Sequence, residues 1–363
     1  MSGALNADVV IVGAGHAGRA AASWLWNAGL RVIVVDESAA PAEPPRAGRR
    51  KPHTVRWPST GPVHPPTRRP VRYASAVWAV ERTDGAFTVH VSRAGVGVQT
   101  GTGTGFGREV IVCRAVLIAT GSAEVPMLGG GSSRRSAASH LARATGCAAT
   151  YDDLRGGWVV GHDRYQRTTV AGISVAGDVC GLRSPRGAEL QGRLAAISLA
   201  RGLTGRAHTA AERRTRASLG RRALLTRGPL STLMRRRSRM SAQDRAGSVP
   251  GDAIVCRCEG ITLGQLDARL EGVPGIQNLR DVKLATRAGM GGCQGTFCEP
   301  LLRELCAGRV PGHATLAGVD PGGLTPRIPV RPLPIGGEVV EGVSRSSTAR
   351  DITPTSSPLK GSR

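Results

Sequence analysis

The stretch Asp8-Val-Val-Ile-Val-Gly-Ala-Gly-His-Ala-Gly18 decides the fold of this chain. Its apolar run, 8–12, has no polar alternation, which is typical of a parallel strand that is buried on both faces. In the turn that follows, Gly13 permits a tight bend, Gly15 lets the backbone approach a diphosphate, and Gly18 lets the next helix pack closely on the strand. The pattern predicts a strand, a glycine turn and a helix N-terminus that can bind a dinucleotide.

The residues after this turn complete the unit. An alanine-rich helix is followed by a second apolar strand at 31–35, which ends at Asp36. A carboxylate at this distance from the turn can accept hydrogen bonds from an adenosine ribose. A glycine turn without a ligand would not require that acid. The candidate contacts in this unit are Gly13, Ala14, Gly15, His16, Ala17, Gly18 and Asp36, with His16 as a spacer beside the diphosphate.

Two more buried strands end in small-residue turns. They are Val116-Leu-Ile-Ala-Thr-Gly121 and the run that closes at Gly177-Asp178. Ahead of the first of them, residues 73–93 alternate as strands, which predicts a small antiparallel insert that returns to the main sheet at 109–118. These features add the candidate contacts Ala119, Thr120, Gly121, Gly177 and Asp178, and Val77 on the insert.

Five of the eight cysteines lie between 256 and 306. Cys256 and Cys258 form one pair and Cys293 and Cys298 a second, and four thiolates from two short loops can enclose a [2Fe-2S] cluster or a zinc ion. Zinc sites favour Cys-x2-Cys spacing, so the spacings here favour iron-sulfur. Thr262 and Gln265 predict a capped helix at 263–271, Cys298 opens another helix through Leu305, and Cys306 is expected in the core.

Composition limits the classes of function. The 363 residues carry 49 Lys and Arg against 26 Asp and Glu, a net charge of +23. Only three of the cations are lysines, which indicates a general arginine bias more than a phosphate-binding track, so no nucleic-acid partner is expected. The sequence contains no apolar run long enough for a transmembrane segment and no leader pattern. These features predict a cytoplasmic location.

The composition also changes along the chain. We predict one domain at 1–205, with an irregular segment rich in Pro and Arg at 39–72 and a shortened middle region at 122–150. An Arg-rich helical linker is expected at 206–250, the four-cysteine domain at 251–308, and a Pro- and Gly-rich tail at 309–363.

These motifs carry a resemblance to known families. The Ala-Thr-Gly and Gly-Asp turns resemble those that flank FAD in flavoproteins with two dinucleotide-binding domains. Cys256-Arg-Cys-Glu259 and Thr286-Arg-Ala-Gly-Met-Gly-Gly-Cys-Gln-Gly295 resemble the [2Fe-2S] domain of bacterioferritin-associated ferredoxin. With the closing segment Arg327-Ile-Pro-Val-Arg-Pro332, the order is similar to the FAD-dependent subunits of opine oxidases, hydrogen cyanide synthase and dye-linked proline or hydroxyproline dehydrogenases.

The resemblance implies fold, cofactors and partners. It implies an α/β fold: a Rossmann-like, doubly wound FAD-binding domain with an antiparallel β insert, and a small α-helical four-cysteine domain. A helix at 188–201 would direct its N-terminus at the flavin. The implied cofactors are FAD and a [2Fe-2S] cluster bound by Cys256, Cys258, Cys293 and Cys298. The implied partners are a second flavoprotein subunit, which oxidises an amino acid, imino acid or opine-like amine, together with a small ferredoxin-like subunit.

One departure from the family changes the expected chemistry. Only 57 residues separate Gly121 from Asp178, where relatives place a second nucleotide-binding domain of about 100 residues or more. The nicotinamide domain is therefore expected to be absent or vestigial, NAD(P)H is not the expected donor, and no residue is assigned a catalytic role. Two alternatives stay open: a non-catalytic scaffold that binds iron-sulfur or zinc with an empty flavin site, and an Arg-rich nucleic-acid binder.

Overall fold

The structure is a computed structural model. It describes residues 5–39, 71–83, 85–93, 107–126, 133–205, 249–271, 273–276, 278–306 and 324–333, with six isolated residues between 210 and 221. Those six are exposed and helical, as expected for the linker, and the tail beyond 333 lies outside the described residues. No helix among the described residues combines the length and the apolar character needed to cross a bilayer.

The elements follow one another as strands and helices of two modules. The N-terminal module (described residues within 5–205) contains β1 (Leu5–Val12), α1 (His16–Asn27), β2 (Val32–Val35), β3 (Val71–Arg72), β4 (Ser75–Thr83), β5 (Ala86–Arg93), β6 (Gly107–Ile118), β7 (Ser122–Pro126), β8 (Ser133–Ala137), α2 (His140–Ala144), β9 (Ala149–Asp152), β10 (Gly157–Val160), β11 (Ile173–Val175) and α3 (Pro185–Thr204). The cysteine module (249–306) contains β12 (Ile254–Cys256), β13 (Ile261–Thr262), α4 (Leu263–Glu271), α5 (Leu279–Thr286) and α6 (Glu299–Cys306).

One seven-stranded sheet organises the N-terminal module. Its order is β3-β2-β1-β6-β5-β4, and β11 pairs with β6. Strands β1, β2, β3, β6 and β11 run parallel, whereas β4 and β5 form the predicted antiparallel insert. Strand β6 is continuous because β5 pairs with its first part and β11 with its last three residues. The parallel strand ends therefore meet at one edge, where the glycine turns lie.

The two faces of the sheet are covered differently. Helices α1 and α3 pack together on one face, against β1, β2 and β6. On the other face, residues of α2 and β10 join the apolar side chains of β1, β2 and the insert. The α/β class is confirmed, but the two long helices share one face instead of flanking both.

Three sequence-based boundaries are corrected. Residues 71–72, placed in the irregular segment, form β3, because the edge of β2 offers unpaired backbone groups; residues 40–70 lie outside the described part of the chain. The strand before Gly177 is only β11, since 168–172 form turns. Helix α3 begins at Pro185, earlier than expected, because the Ser184 side chain caps it by accepting a hydrogen bond from the Gly187 amide.

The cysteine module is helical, as expected. Helix α4 spans the predicted residues, and Thr262 and Gln265 make both hydrogen bonds of the capping box. Helix α5 was not anticipated, although Asn278 and Asp281 form a second capping box that signals its start. Cys306 is buried in the core of this module, where the sequence placed it.

Candidate functional site

The first glycine turn brings two strand ends into contact. Gly13 has a φ of +107°, and its amide donates to the Val35 carbonyl at 2.7 Å. A Cβ on Gly13 would lie 2.3 Å from the Ala119 carbonyl oxygen, and a Cβ on Gly18 would lie 1.9 Å from the Gly13 carbonyl oxygen. Both positions therefore require glycine, because backbone atoms occupy the space of a side chain.

Gly15 differs from its two neighbours in the motif. No atom of the chain lies within 4 Å of the position that its Cβ would take, although its φ of −71° suits any residue. Asp36 supports the turn from below, with its carboxylate accepting hydrogen bonds from the amides of Ala14 and Ser38. The space above Gly15 fits a group from outside the chain, such as the diphosphate of a dinucleotide.

The Gly-Asp turn closes onto the same place. Gly177 has a φ of +89°, and its amide donates to the side-chain oxygen of Gln191 at 3.0 Å. A Cβ on Gly177 would lie 3.1 Å from that of Ala17, so the turn packs against the start of α1. Gln191 is fully buried on α3, and its role was not visible in the sequence because it depends on the packing of α3 against the turn.

Asp178 is held by three donors. Its carboxylate accepts from the Ser122 hydroxyl at 3.0 Å, the Arg135 guanidinium at 3.1 Å and the Arg183 amide at 2.8 Å. Ser122 and Arg135 belong to β7 and β8, and their approach to Asp178 could not be read from the sequence.

A cavity of about 180 Å³ lies between these turns. Both long helices of the module begin at it, so two positive helix ends face it together with the cationic Arg135 and Arg183. This environment fits the diphosphate of FAD. The lining residues are Gly15, His16, Ala17, Ala119, Gly121, Ser122, Arg135, Gly177, Asp178, Arg183, Ser184, Pro185 and Ala188.

Seven of the predicted contacts line this cavity, and their contact with the cofactor remains a prediction. Thr120 instead donates through its hydroxyl to the Ala138 carbonyl at 2.6 Å, which fixes the turn. The Val77 side chain is buried in the apolar core on the insert, away from the cavity lining. Gly13, Ala14, Gly18 and Asp36 shape the first turn rather than line the cavity.

The shortened middle region begins with two paired strands. Strands β7 and β8 pair antiparallel from Ser122 with Ala137 to Pro126 with Ser133, and six residues, 127–132, connect them. Six residues cannot form a nucleotide-binding domain, which needs about 100 residues or more. The predicted absence of a second domain at this position therefore follows from chain length, and the rest of 122–150 belongs to the N-terminal module.

The four cysteines meet in two contacting pairs. The thiols of Cys256 and Cys298 contact each other, and so do those of Cys258 and Cys293. Cys256 and Cys298 are buried, Cys293 is half-buried and Cys258 is exposed. Within the described residues, no three His, Cys, Asp or Glu side chains of the free protein meet around one point as ligands of a single ion.

The loops around the cysteines are shaped by close contacts. The Gly289 amide donates to the Cys256 sulfur at 3.5 Å, and a Cβ on Gly291 would lie 2.1 Å from the Cys258 Cβ. Amide donors and the N-terminus of α6, which starts directly after Cys298, suit an anionic thiolate-ligated cluster. The donor set thus fits the predicted [2Fe-2S] group.

The cysteine pKa values follow from the pairing. A hydrogen bond from the Cys298 thiol lowers the pKa of Cys256 to about 5, with help from backbone amides. The same contact, followed by burial, raises the pKa of Cys298. Burial is the main cause that raises the pKa of Cys293. In the free protein, Cys256 is therefore the thiolate of the buried pair.

A buried ionic cluster joins the two modules. Glu299, the residue after Cys298, accepts from the Trp158 indole at 2.6 Å and from Arg303 at 3.0 and 3.2 Å. Arg143 of α2 lies 3.9 Å from the same carboxylate and 4.1 Å above the Trp158 ring. Glu299 is 2% exposed, so the cysteine module is fixed to the N-terminal module next to a predicted cluster ligand.

Replacing Glu299 by glutamine tests this junction. Because the carboxylate neutralises two buried guanidinium groups, Glu299→Gln is expected to lower the free energy of unfolding by about 3 kcal/mol. The matched control is Glu189→Gln, which breaks another i, i+4 pair, with Arg193, on the partly exposed surface of α3. That change is expected to cost less than about 1 kcal/mol in urea unfolding. Equal losses in the two variants would show that the junction is not a special contact.

His140 lies in the same junction. Its Nε2 is 3.3 Å from the Thr296 hydroxyl, and burial, with Arg143 and Arg331 nearby, lowers the pKa of this histidine from 6.5 to about 3. The unfolded chain therefore takes up a proton near pH 6.5 that the folded chain refuses, and stability falls as the pH drops toward 3.

We expect a pH effect that depends on His140. Between pH 7.5 and pH 5.0 its contribution to the free energy of unfolding falls by about 2 kcal/mol. Urea unfolding at the two pH values measures this, and His140→Gln should show a pH-dependent loss that is smaller by that amount. The same loss in both proteins would mean that His140 is protonated in the folded chain.

The closing segment 324–331 links the modules a second time. Leu324 is buried in the core of the cysteine module, whereas Val330 is buried in that of the N-terminal module. The Gln294 side chain binds the backbone of Arg327 and Pro329, the latter at 2.6 Å. The Arg-x-Pro-Val-Arg-Pro motif thus acts as a connector between the two cofactor sites.

Comparison with known proteins agrees with the two modules. Residues 7–146 match the pyridine nucleotide-disulphide oxidoreductase family, and residues 254–307 match the BFD-like [2Fe-2S] binding domain. The chain is 34% identical over 216 residues to an opine oxidase subunit of Rhizobium meliloti (strain 1021), which covers 54% of this chain and 40% of that protein. It is 31% identical over 175 residues to hydrogen cyanide synthase subunit HcnB of Pseudomonas aeruginosa, with coverages of 47% and 34%.

A solved structure shares the fold. The L-proline dehydrogenase from P. horikoshii superposes with a TM-score of 0.67 at 15% identity, covering 92% of this chain and 79% of that one. The chain spans about two fifths of the length of the curated relatives it matches. These findings confirm the resemblance, the α/β fold, the relation to FAD-dependent oxidoreductases, and FAD and [2Fe-2S] as the cofactors of the two matched domains.

Proposed function

We propose that this chain is the electron-transfer subunit of an oxidoreductase that oxidises a carbon–nitrogen bond in an amino acid, imino acid or opine-like amine. The observation that carries the proposal is the six-residue connection between β7 and β8. The FAD cavity is built, but the chain has no length for a nicotinamide domain at that point. The electrons therefore need another donor, and the similarity to a subunit of opine oxidase supports a partner protein in that role.

The residues of the cavity bind and orient the cofactor. Gly15 leaves room for the diphosphate, and the N-termini of α1 and α3 place amide groups and positive helix ends around it. Arg183 adds a positive charge, while Arg135 and Ser122 hold the Asp178 carboxylate in place at the cavity. Asp36 keeps the first turn in position through the amide of Ala14.

The cysteine module supplies the second carrier. Its four predicted ligands are Cys256, Cys258, Cys293 and Cys298. FAD takes up an electron pair and releases electrons singly, and a [2Fe-2S] cluster carries one electron at a time. Glu299 and the closing segment hold the ligand loops against the N-terminal module, which keeps the two cofactor sites at a fixed separation.

The proposed partners follow from this division of work. A second flavoprotein subunit would bind the amine and reduce the FAD of this chain, and a small ferredoxin-like subunit would complete the assembly. The names of the relatives that are called subunits support this arrangement. We infer no nucleic-acid partner, and the proposed location is the cytoplasm.

Co-purification with the products of neighbouring genes tests the proposal. The isolated complex is expected to contain FAD, iron and sulfide and to reduce a dye with at least one compound from a panel of amino acids, imino acids and opines. Reduction by NADH without an amine would contradict it. A colourless or cluster-only protein, inactive with every amine, would favour the scaffold alternative.

A further inference from the structure

The exposed apolar side chains of this protein are unevenly distributed. All six large hydrophobic residues that are exposed among the described residues lie between 254 and 328, outside the N-terminal module. Three of them, Met290, Phe297 and Ile328, are about 40% exposed and belong to segments that contact the cysteine loops. Contiguous exposed apolar surface beside a functional site marks a site of protein interaction.

The contacts place these three residues around one edge of the cysteine site. Met290 directly precedes Gly291, which touches the Cys258 side chain. Phe297 directly precedes Cys298. Ile328 is flanked by the two backbone carbonyls that Gln294 binds, so it lies beside the loop of Cys293.

This edge is also the open side of the site. Cys258 is exposed, whereas Cys256 and Cys298 are buried toward the core of the module. An outside redox protein approaches the bound group most closely through Cys258. The edge therefore combines accessibility with the apolar contacts that a docking protein needs.

The charges around this edge are mainly positive. The segments 256–260, 287–298 and 324–331 carry four arginines against Glu259. Arg257 and Arg327 are exposed there, Arg287 pairs with Glu259 at 3.0 Å, and Arg331 reaches Glu37 on the N-terminal module. An apolar centre with a basic rim suits an acidic partner, and opposite charge speeds the encounter.

We propose that this surface, formed by Cys258, Met290, Phe297, Ile328, Arg257 and Arg327 and named here the exit face, docks an acidic one-electron carrier protein of the ferredoxin or flavodoxin type. The inference rests on the proposed function, because the cluster must carry the electron. One electron leaves the reduced [2Fe-2S] centre and reduces the oxidised centre of the carrier, and no proton or bond is exchanged. Such redox encounters are brief and use small interfaces.

Stopped-flow kinetics with the full chain test the exit face. The loaded chain is reduced by light and a deazaflavin under anaerobic conditions and mixed with oxidised acidic plant-type ferredoxin, or with the basic cytochrome c as the opposite probe. The ferredoxin is expected to react in a second-order step whose rate falls steeply as salt rises. Arg327→Glu, alone and with Arg257→Glu, is expected to slow this step by about tenfold or more at low salt.

Arg201→Glu is the matched control, since it makes the same change of charge on the exposed end of α3, away from the cysteine loops. Its rate should stay within about twofold of that of the unchanged chain. Equal rates for the two charge reversals, a faster reaction with cytochrome c, or light scattering that shows the exit face joining two copies of the chain would overturn the inference. Absence of a reducible cluster before mixing would instead contradict the proposed function.

Discussion

Replacing Cys258 by serine is expected to remove the [2Fe-2S] cluster while FAD stays bound. Cys258 is exposed, so the change disturbs the core little, but a serine hydroxyl does not replace a thiolate ligand. Iron and sulfide content should fall to near background, and the visible absorption of the cluster and its electron paramagnetic resonance signal after reduction should disappear. The visible absorption of the flavin should remain.

Cys147→Ser provides the matched control. Cys147 is also a free cysteine, but it lies in the N-terminal module, with the hydroxyls of Thr145 and Thr168 at 3.6 and 3.4 Å from its sulfur. A serine there finds polar neighbours, so iron and sulfide should stay at the level of the unchanged chain. Full iron content in Cys258→Ser would remove Cys258 from the ligand set. Zinc in place of iron and sulfide in the unchanged chain would support the scaffold alternative.

Replacing Gly15 by alanine is expected to abolish tight FAD binding without damaging the fold. The chain leaves the alanine methyl unopposed, and the φ of −71° requires no glycine, so the stability of the FAD-free protein should change by about a few tenths of a kcal/mol. The methyl group fills space that the diphosphate needs. FAD affinity should fall by about tenfold or more, roughly 1.4 kcal/mol, measured by flavin fluorescence titration of the stripped protein.

Gly18→Ala separates the two roles of glycine in the motif. A Cβ on Gly18 would lie 1.9 Å from the Gly13 carbonyl oxygen, so this variant should lose stability even without FAD, although alanine is the better helix former. Urea unfolding of both stripped variants measures the difference. Gly15→Ala with unchanged FAD affinity would contradict the assignment of the cavity to the diphosphate.

The local parts of this structure could be predicted from the sequence. The first turn, its helix and Asp36 are adjacent steps of one βαβ unit, and their geometry is set by backbone contacts such as that of Gly18 with Gly13. Helix α4 was predicted at its observed bounds because Thr262 and Gln265 cap it within one turn. In such cases the decisive interactions connect residues that are close in the chain.

Other features depend on contacts between distant residues. Arg135 comes to Asp178 only because β8 pairs with β7, and Gln191 reaches the Gly177 amide only once α3 is packed. Glu299 lies in an ordinary helical i, i+4 pair with Arg303, so the sequence carries no sign of its burial against Trp158. Strand β3 is two residues long and forms because β2 has a free edge. No local pattern encodes any of these contacts.

Light-driven reduction of the full chain tests the central claim, that one chain holds both cofactors and needs no nicotinamide. Under anaerobic conditions, with a deazaflavin as the source of electrons, the account predicts that the flavin bleaches and the [2Fe-2S] signal of the reduced cluster grows in the same molecules. NADH or NADPH added in the dark should leave both centres oxidised. A chain that takes up no FAD, or whose flavin is reduced directly by NADH, would contradict the account.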